Sequence, residues 1–204
     1  VEKEWIEKYL RQMMHTLSEV PVEKIERIIE LIQQAYVDEK QIFILGNGGS
    51  ASTASHFCCD LAKGTVVDGK RRLRVISLTD NVALLTAYAN DLGYESVFVE
   101  QLKNLLQEND LVICITGSGK SPNVLSAIEY ANKRGATTIG LLGFDGGLAK
   151  GMIKEHITLR NHNYGQVEDL HMILAHVISQ CFKERVINGG KLEVAKTEIR
   201  AVAL

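Results

Sequence analysis

Proline is nearly absent, with two residues in 204, and tryptophan occurs once, at Trp5. Without a proline-rich stretch, a repeat or a low-complexity run, nothing in the sequence marks a linker between domains. Cysteine is scarce as well. Cys58, Cys59, Cys114 and Cys181 show no C-x-x-C spacing, which argues against a structural zinc cluster or a disulfide framework. No apolar run approaches the roughly 20 residues of a membrane span. The opening Val1-Glu2-Lys3-Glu4-Trp5 is too charged for the apolar part of a signal peptide. Nor is there an excess of one charge: Lys and Arg number 23 against 25 Asp and Glu, a net charge of −2. That balance offers no bulk attraction for nucleic acid or an anionic membrane. The expectation is a soluble, cytoplasmic protein with neither as a partner. A chain of this length buries about 70% of its extended surface unaided, so a metal, if bound, serves function.

What is present is a pattern that changes along the chain. From Trp5 to Val37 apolar residues fall at helical spacing, interrupted near Pro21, and predict two amphipathic helices. Short apolar runs follow, at Gln41–Leu45, Arg74–Leu78, Leu111–Thr116, Thr137–Leu142 and Glu155–Leu159, each bounded by polar or Gly-rich turns. Helical stretches lie between and after them: Ser50–Ala62, Asn81–Ala89, Tyr94–Leu106, Ser121–Arg134 and Gln166–Val186. Alternation of strand and helix predicts an α/β fold, a parallel sheet with helices on both faces. Pro21 and Pro122 both fit the first turn of a helix, where a missing N–H costs nothing. The expected organisation is one domain over residues 1–186, including a helical hairpin at 1–38, followed by an extension at 187–204.

Two loops are suited to an anion. Gly46-Asn47-Gly48-Gly49-Ser50-Ala51 follows the first strand and opens a helix, where free N–H groups and the helix dipole attract negative charge. The same string satisfies G-x-G-x-x-A, but a dinucleotide site wants an acid about 20 residues on, and the next strand-end acid, Asp80, comes late. The second loop, Thr116-Gly117-Ser118-Gly119-Lys120-Ser121, follows the third strand and lacks the spacing of a nucleotide P-loop. Both loops fall at carboxyl ends of parallel strands and share one crevice, which suits a phosphorylated small molecule.

Candidate chemistry lies on two helices. His56 and Asp60, four residues apart, share a face. Glu168, Asp169, His171 and His176 crowd the otherwise apolar last helix, where ionisable groups need partners. On a helical wheel Asp169 lies about 20° and Glu168 about 80° from His176, so either carboxylate is able to stand beside it. A satisfied polar seam accounts for the same residues equally well.

In order along the chain, Leu45-Gly46-Asn47-Gly48-Gly49-Ser50-Ala51, His56-Phe57, Thr116-Gly117-Ser118-Gly119-Lys120-Ser121 and Gly143-Phe144-Asp145-Gly146-Gly147 resemble the sugar isomerase (SIS) domain family. Within it they are similar to the phosphoheptose isomerases, over roughly residues 2–185. The resemblance implies a three-layer αβα sandwich with a five-stranded parallel sheet, a homotetramer, and conversion of sedoheptulose 7-phosphate to D-glycero-D-manno-heptose 7-phosphate. It implies phosphate held by Ser50, Thr116, Ser118 and Ser121 beside the Gly48 backbone, with Asn47 and Asp91 on the sugar. Gly117 stands where a Thr is usual. It also implies one zinc ion per subunit on His56, Asp60, Glu168 and His176, of which Asp60 replaces the family's Glu and Glu168 its Gln, with Glu168 also near substrate. Asp60 is expected to carry the proton and His176 to act as its partner. A non-catalytic SIS protein that binds a sugar phosphate or regulates replication, and an isomerase of another phosphosugar, are the alternatives.

Overall fold

In the computed structural model, which describes residues 1–189, the apolar runs form one all-parallel sheet. Its strands are β1 (Gln41–Gly46), β2 (Arg74–Ser77), β3 (Leu111–Thr116), β4 (Thr137–Gly143) and β5 (Glu155–Leu159), in the order β2-β1-β3-β4-β5. The helices are α1 (Glu2–Ser18), α2 (Val22–Val37), α3 (Gly49–Cys59), α4 (Val82–Leu92), α5 (Val99–Leu105), α6 (Pro122–Lys133), α7 (Ala149–Met152) and α8 (Tyr164–Ile187). All but the first three residues of the expected 187–204 extension lie outside the described residues.

The strands are apolar throughout because successive side chains enter two different cores. Ile42, Ile44, Ile113 and Ile115 point to one face, where Ile28 and Ile32 of α2, Phe57 of α3 and Leu174 of α8 cover them. Phe43, Leu45, Val112 and Cys114 point to the other, against Leu102 of α5 and Val124, Ala127 and Ile128 of α6. Complete burial of each large side chain contributes about 1.5–3 kcal/mol, and a one-residue slip of register would exchange the two cores. Three layers result, as the sequence implied.

Strand order reverses direction between β1 and β3, which leave the same end of the sheet on neighbouring positions. The loops after these strands splay apart over a crevice, the usual ligand position in such a sheet. Both anion-suited loops lie there.

Several boundaries differ from the sequence expectation. The helix expected over Ser50–Ala62 ends at Cys59 and continues as a wider π turn, Asp60–Gly64. The helix expected over Tyr94–Leu106 divides into a 3-10 turn, Tyr94–Ser96, and α5, around the fully buried pair Val97 and Phe98. Pro21 precedes α2 in extended conformation instead of opening it, whereas Pro122 does begin α6. Two helices leave apolar surface uncovered in a single chain: α1 exposes Trp5, Ile6, Leu10 and Met14, and α4, with Val82 and Leu92 exposed, buries no residue.

Candidate active site

His56 lies in the last turn of α3, and Asp60 begins the π turn that follows it. Single π turns in helices occur frequently at functional sites. His176 comes from the middle of α8, which packs along α3. Their reactive atoms converge: His56 Nε2 is 2.9 Å from His176 Nε2, and Asp60 Oδ2 is 3.4 Å from the first and 3.5 Å from the second. Asp60 Oδ2 is buried with no hydrogen-bond partner among the described residues. A buried carboxylate oxygen without a donor is costly unless a cation meets it. Tetrahedral ligands about 2.0–2.1 Å from zinc stand roughly 3.3 Å apart, close to the spacing found. The three groups therefore fit a divalent metal ion.

Glu168, expected as the fourth ligand, does not join this group. It lies two turns before His176 on α8, a rise of about 12 Å. Its carboxylate packs on the head of α3, so closely that a Cβ at Gly49 would stand 2.3 Å from it. Of the four residues inferred from resemblance, three thus converge, and the Glu168 side chain is directed to the crevice end of α3.

At that end the two anion-suited loops meet. Thr116 Oγ1 accepts the Gly119 N–H at 3.2 Å, and Ser118 Oγ accepts the Lys120 N–H at 3.3 Å. Each hydroxyl spends an acceptor on holding the loop and keeps its own hydrogen to donate. Ser121 precedes α6 without a capping bond from its side chain, and Ser50 is buried in the first turn of α3, just after Gly48. Hydroxyl donors and helix N-termini in this arrangement suit a phosphate. Tyr164 lies over Gly117, where a Cβ would come within 3.1 Å of its ring, so the ring stands close to the position that lacks the usual Thr.

Asn47 is fixed by a residue the sequence reading passed over. Its amide and that of Asn123 exchange two hydrogen bonds, at 2.8 and 2.9 Å, and Tyr94 donates to Asn47 Oδ1 at 3.1 Å. These residues with Ser121 line a cavity of about 240 Å³. Asn123, 2% exposed, was findable as a polar residue inside an apolar helix face, but its partner lies 76 positions away. Asp91 sits exposed near the end of α4, its carboxylate bonded by Asn90 Nδ2 at 2.7 Å. No hydrogen bond or ion pair among the described residues links Asp91 to the crevice.

His171 has a different character. It is completely buried, neither ring nitrogen has a partner in hydrogen-bonding geometry among the described residues, and burial pushes its pKa down to about 4, against an opposing effect of the nearby Leu142 backbone. The neutral ring is thus built into the fold. Because the unfolded chain takes up this proton near pH 6.5 and the folded one near 4, the stabilisation is complete above about 6.5 and disappears as pH falls toward 4. Urea unfolding across that window is expected to show up to about 3 kcal/mol lost, and His171→Leu to flatten the dependence. An unchanged slope in the variant would assign the acid sensitivity elsewhere.

Together, the switch-point crevice, the hydroxyl loops and a His-Asp-His group define an α/β protein for a phosphorylated small molecule. The SIS domain family model matches residues 5–143. A phosphoheptose isomerase from a Nitratiruptor species is 36% identical over 90% of this chain and 90% of its own length. One from Helicobacter pylori is 34% identical over 88% and 91%. The structure of phosphoheptose isomerase from Neisseria gonorrhoeae superposes with a TM-score of 0.83 at 27% identity, covering 90% of this chain and all of that one. The chain belongs to the phosphoheptose isomerase family of SIS domain proteins.

Proposed function

We propose that the protein is an aldose-ketose isomerase that converts sedoheptulose 7-phosphate to D-glycero-D-manno-heptose 7-phosphate. The observation that carries the reading is the convergence of His56 of α3, Asp60 of the π turn after it and His176 of α8, helices whose heads stand at the hydroxyl-lined crevice. Phosphate is held by Ser50, Thr116, Ser118 and Ser121 with the N–H groups after Gly48, and Asn47, squared by Asn123, receives sugar hydroxyls. Glu168, beside Gly49, accepts from a further hydroxyl, and Asp91 approaches from α4.

Ketose and aldose interconvert when a proton leaves the carbon beside the carbonyl and returns to its neighbour by way of an enediol, and one base performs both steps. Asp60 is assigned as that base, and His176 moves the proton between the two oxygens. His56, Asp60 and His176 would hold zinc, which when bound would supply positive charge to the substrate's carbonyl oxygen. The Asp60 Oδ2 without a protein donor is what supports the ion's place there.

The same reading takes residues 1–186 as one catalytic domain and the assembly as a homotetramer acting in the cytoplasm. Support for assembly is the apolar surface that α1 and α4 leave uncovered. Among the described residues no helix is long and apolar enough to cross a membrane.

The test is incubation of metal-analysed protein with sedoheptulose 7-phosphate, following the anomeric proton of the aldoheptose product by NMR. Turnover lost to a chelator and restored by zinc is expected. No product from metal-replete protein would overturn the assignment.

A further inference from the structure

The bonds that hold Asn47 also fix what it offers a ligand. Val124 lies in the first turn of α6, where backbone N–H groups have no helical carbonyl to meet, and its N–H donates to Asn123 Oδ1 at 3.0 Å. A backbone N–H only donates, so the Asn123 amide stands with its oxygen toward the helix start. The same oxygen accepts from Asn47 Nδ2 at 2.8 Å, and Asn123 Nδ2 donates to Asn47 Oδ1 at 2.9 Å. The start of α6 thereby dictates which way round both amides stand.

A count of donors and acceptors then gives the polarity of the crevice wall. Asn47 Oδ1 has two lone pairs, one taken by Asn123 Nδ2 and the other by the Tyr94 hydroxyl at 3.1 Å. Of the two Asn47 Nδ2 hydrogens, one goes to Asn123 and the other meets no acceptor among the described residues. Tyr94 has spent its hydrogen on Asn47, so its Oη keeps only lone pairs, and among the described residues nothing donates to them. Both side chains line the cavity of about 240 Å³, Tyr94 with 58% of its surface exposed. Asn47 therefore presents a donor and Tyr94 an acceptor to the same space. Glu95 shares this wall, but its carboxylate is turned back on Gly93, where a Cβ would stand 2.7 Å from it.

A single hydroxyl satisfies both groups, its oxygen accepting the Asn47 N–H and its hydrogen going to Tyr94 Oη. An ether or carbonyl oxygen satisfies one of them. We propose that Asn47 and Tyr94 together read one hydroxyl of the sugar chain, and that Asn123 is the positioning residue that sets the polarity of the pair. The inference rests on the crevice being the sugar-phosphate site described above. A purely structural Asn123, completing the first turn of α6, needs only its oxygen; the second bond, from its Nδ2 to Asn47, is what holds the crevice amide in one orientation.

The test titrates sedoheptulose 7-phosphate and inorganic phosphate separately into the full chain, with turnover followed beside binding. The hydroxyl loops meet the phosphate of either ligand, so the ratio of the two dissociation constants isolates the sugar. Tyr94→Phe is expected to weaken the sugar phosphate about tenfold and to leave phosphate at its wild-type affinity, with KM rising likewise at unchanged kcat. Asn47→Asp keeps the oxygen that Asn123 and Tyr94 hold but has no hydrogen to offer. It should cut the preference for sugar phosphate over phosphate by about tenfold or more, and a retained preference would overturn the donor assignment. Asn123→Ala should do the same in the wild-type chain and nothing further in an Asn47→Ala background. Equal losses in both backgrounds would show that Asn123 does not act through Asn47 and overturn its positioning role. Wild-type protein that shows the expected preferences but forms no product would reject the isomerase reading and support this one. Product formed by protein that binds the sugar phosphate no more tightly than phosphate would overturn this one alone.

Discussion

Asp60→Asn is expected to lower isomerisation by about 10³-fold or more, within the range for loss of a positioned general base, and to strip the metal in the same step. The amide has the shape of the carboxylate but neither its charge nor its basicity. In the folded chain Asp60 Oδ2 stands 3.4 and 3.5 Å from the two histidine nitrogens with no protein donor among the described residues. Among those residues it is therefore the sole anionic group offered to a cation there. Removing that charge leaves two neutral imidazoles, which hold a divalent ion poorly. Glu168→Gln makes the informative contrast. Its carboxylate rests on Gly49, away from the histidine pair, so metal content is expected to stay at the wild-type ratio while the Michaelis constant rises. Metal analysis of both purified variants, beside the NMR assay, separates the roles. Metal lost from Glu168→Gln, or turnover retained by Asp60→Asn, would reverse the assignment.

The fold was legible in the sequence where periodicity had a single cause. Five apolar runs became five strands because both faces of a parallel sheet are buried, and the long helical periods became helices. What was illegible depended on partners remote in sequence. The division around Val97 and Phe98 follows from their burial against other elements, which the helical pattern of the segment does not reveal. The π turn at Asp60 is likewise invisible to a 3.6-residue period, though its one extra residue per turn sets where the carboxylate stands. In the site, His56 and Asp60 were readable as a local pair four residues apart, and His176 was placed beside them through resemblance. Where the Glu168 side chain lies, beside Gly49 at the head of α3, was not readable from its position in the sequence. Asn123 stood out only as a polar residue on an apolar helix face and Tyr94 not at all, because the bonds by which they hold Asn47 span 47 or more positions.

Gly119→Ala is expected to injure stability and activity together, because at this residue the second hydroxyl loop rests on the turn after β4. Gly119 has φ +63°, and a Cβ there would stand 2.0 Å from the Gly146 carbonyl oxygen, a backbone atom that no rotamer change can move. The loop must lift away, and with it the Gly119 N–H that Thr116 Oγ1 accepts and the Ala149 N–H that the Gly119 carbonyl accepts. Left-handed strain and overpacking together cost about 2–4 kcal/mol, or a fall in Tm of roughly 5–15 °C for a chain of this size. A displacement of about 1 Å in the phosphate-holding hydroxyls is enough to reduce turnover about 10²-fold. Gly48→Ala separates the two causes: φ is +55° with ψ −124°, but nothing lies within 4 Å of its Cβ among the described residues, so only a backbone conformational cost of about 1–3 kcal/mol applies. Thermal melts should therefore rank wild type above Gly48→Ala and Gly48→Ala above Gly119→Ala. Equal melting temperatures for the two variants would mean that the loop after β3 and the turn after β4 move apart freely, and the crevice would then owe its shape to bound phosphate instead of to this contact.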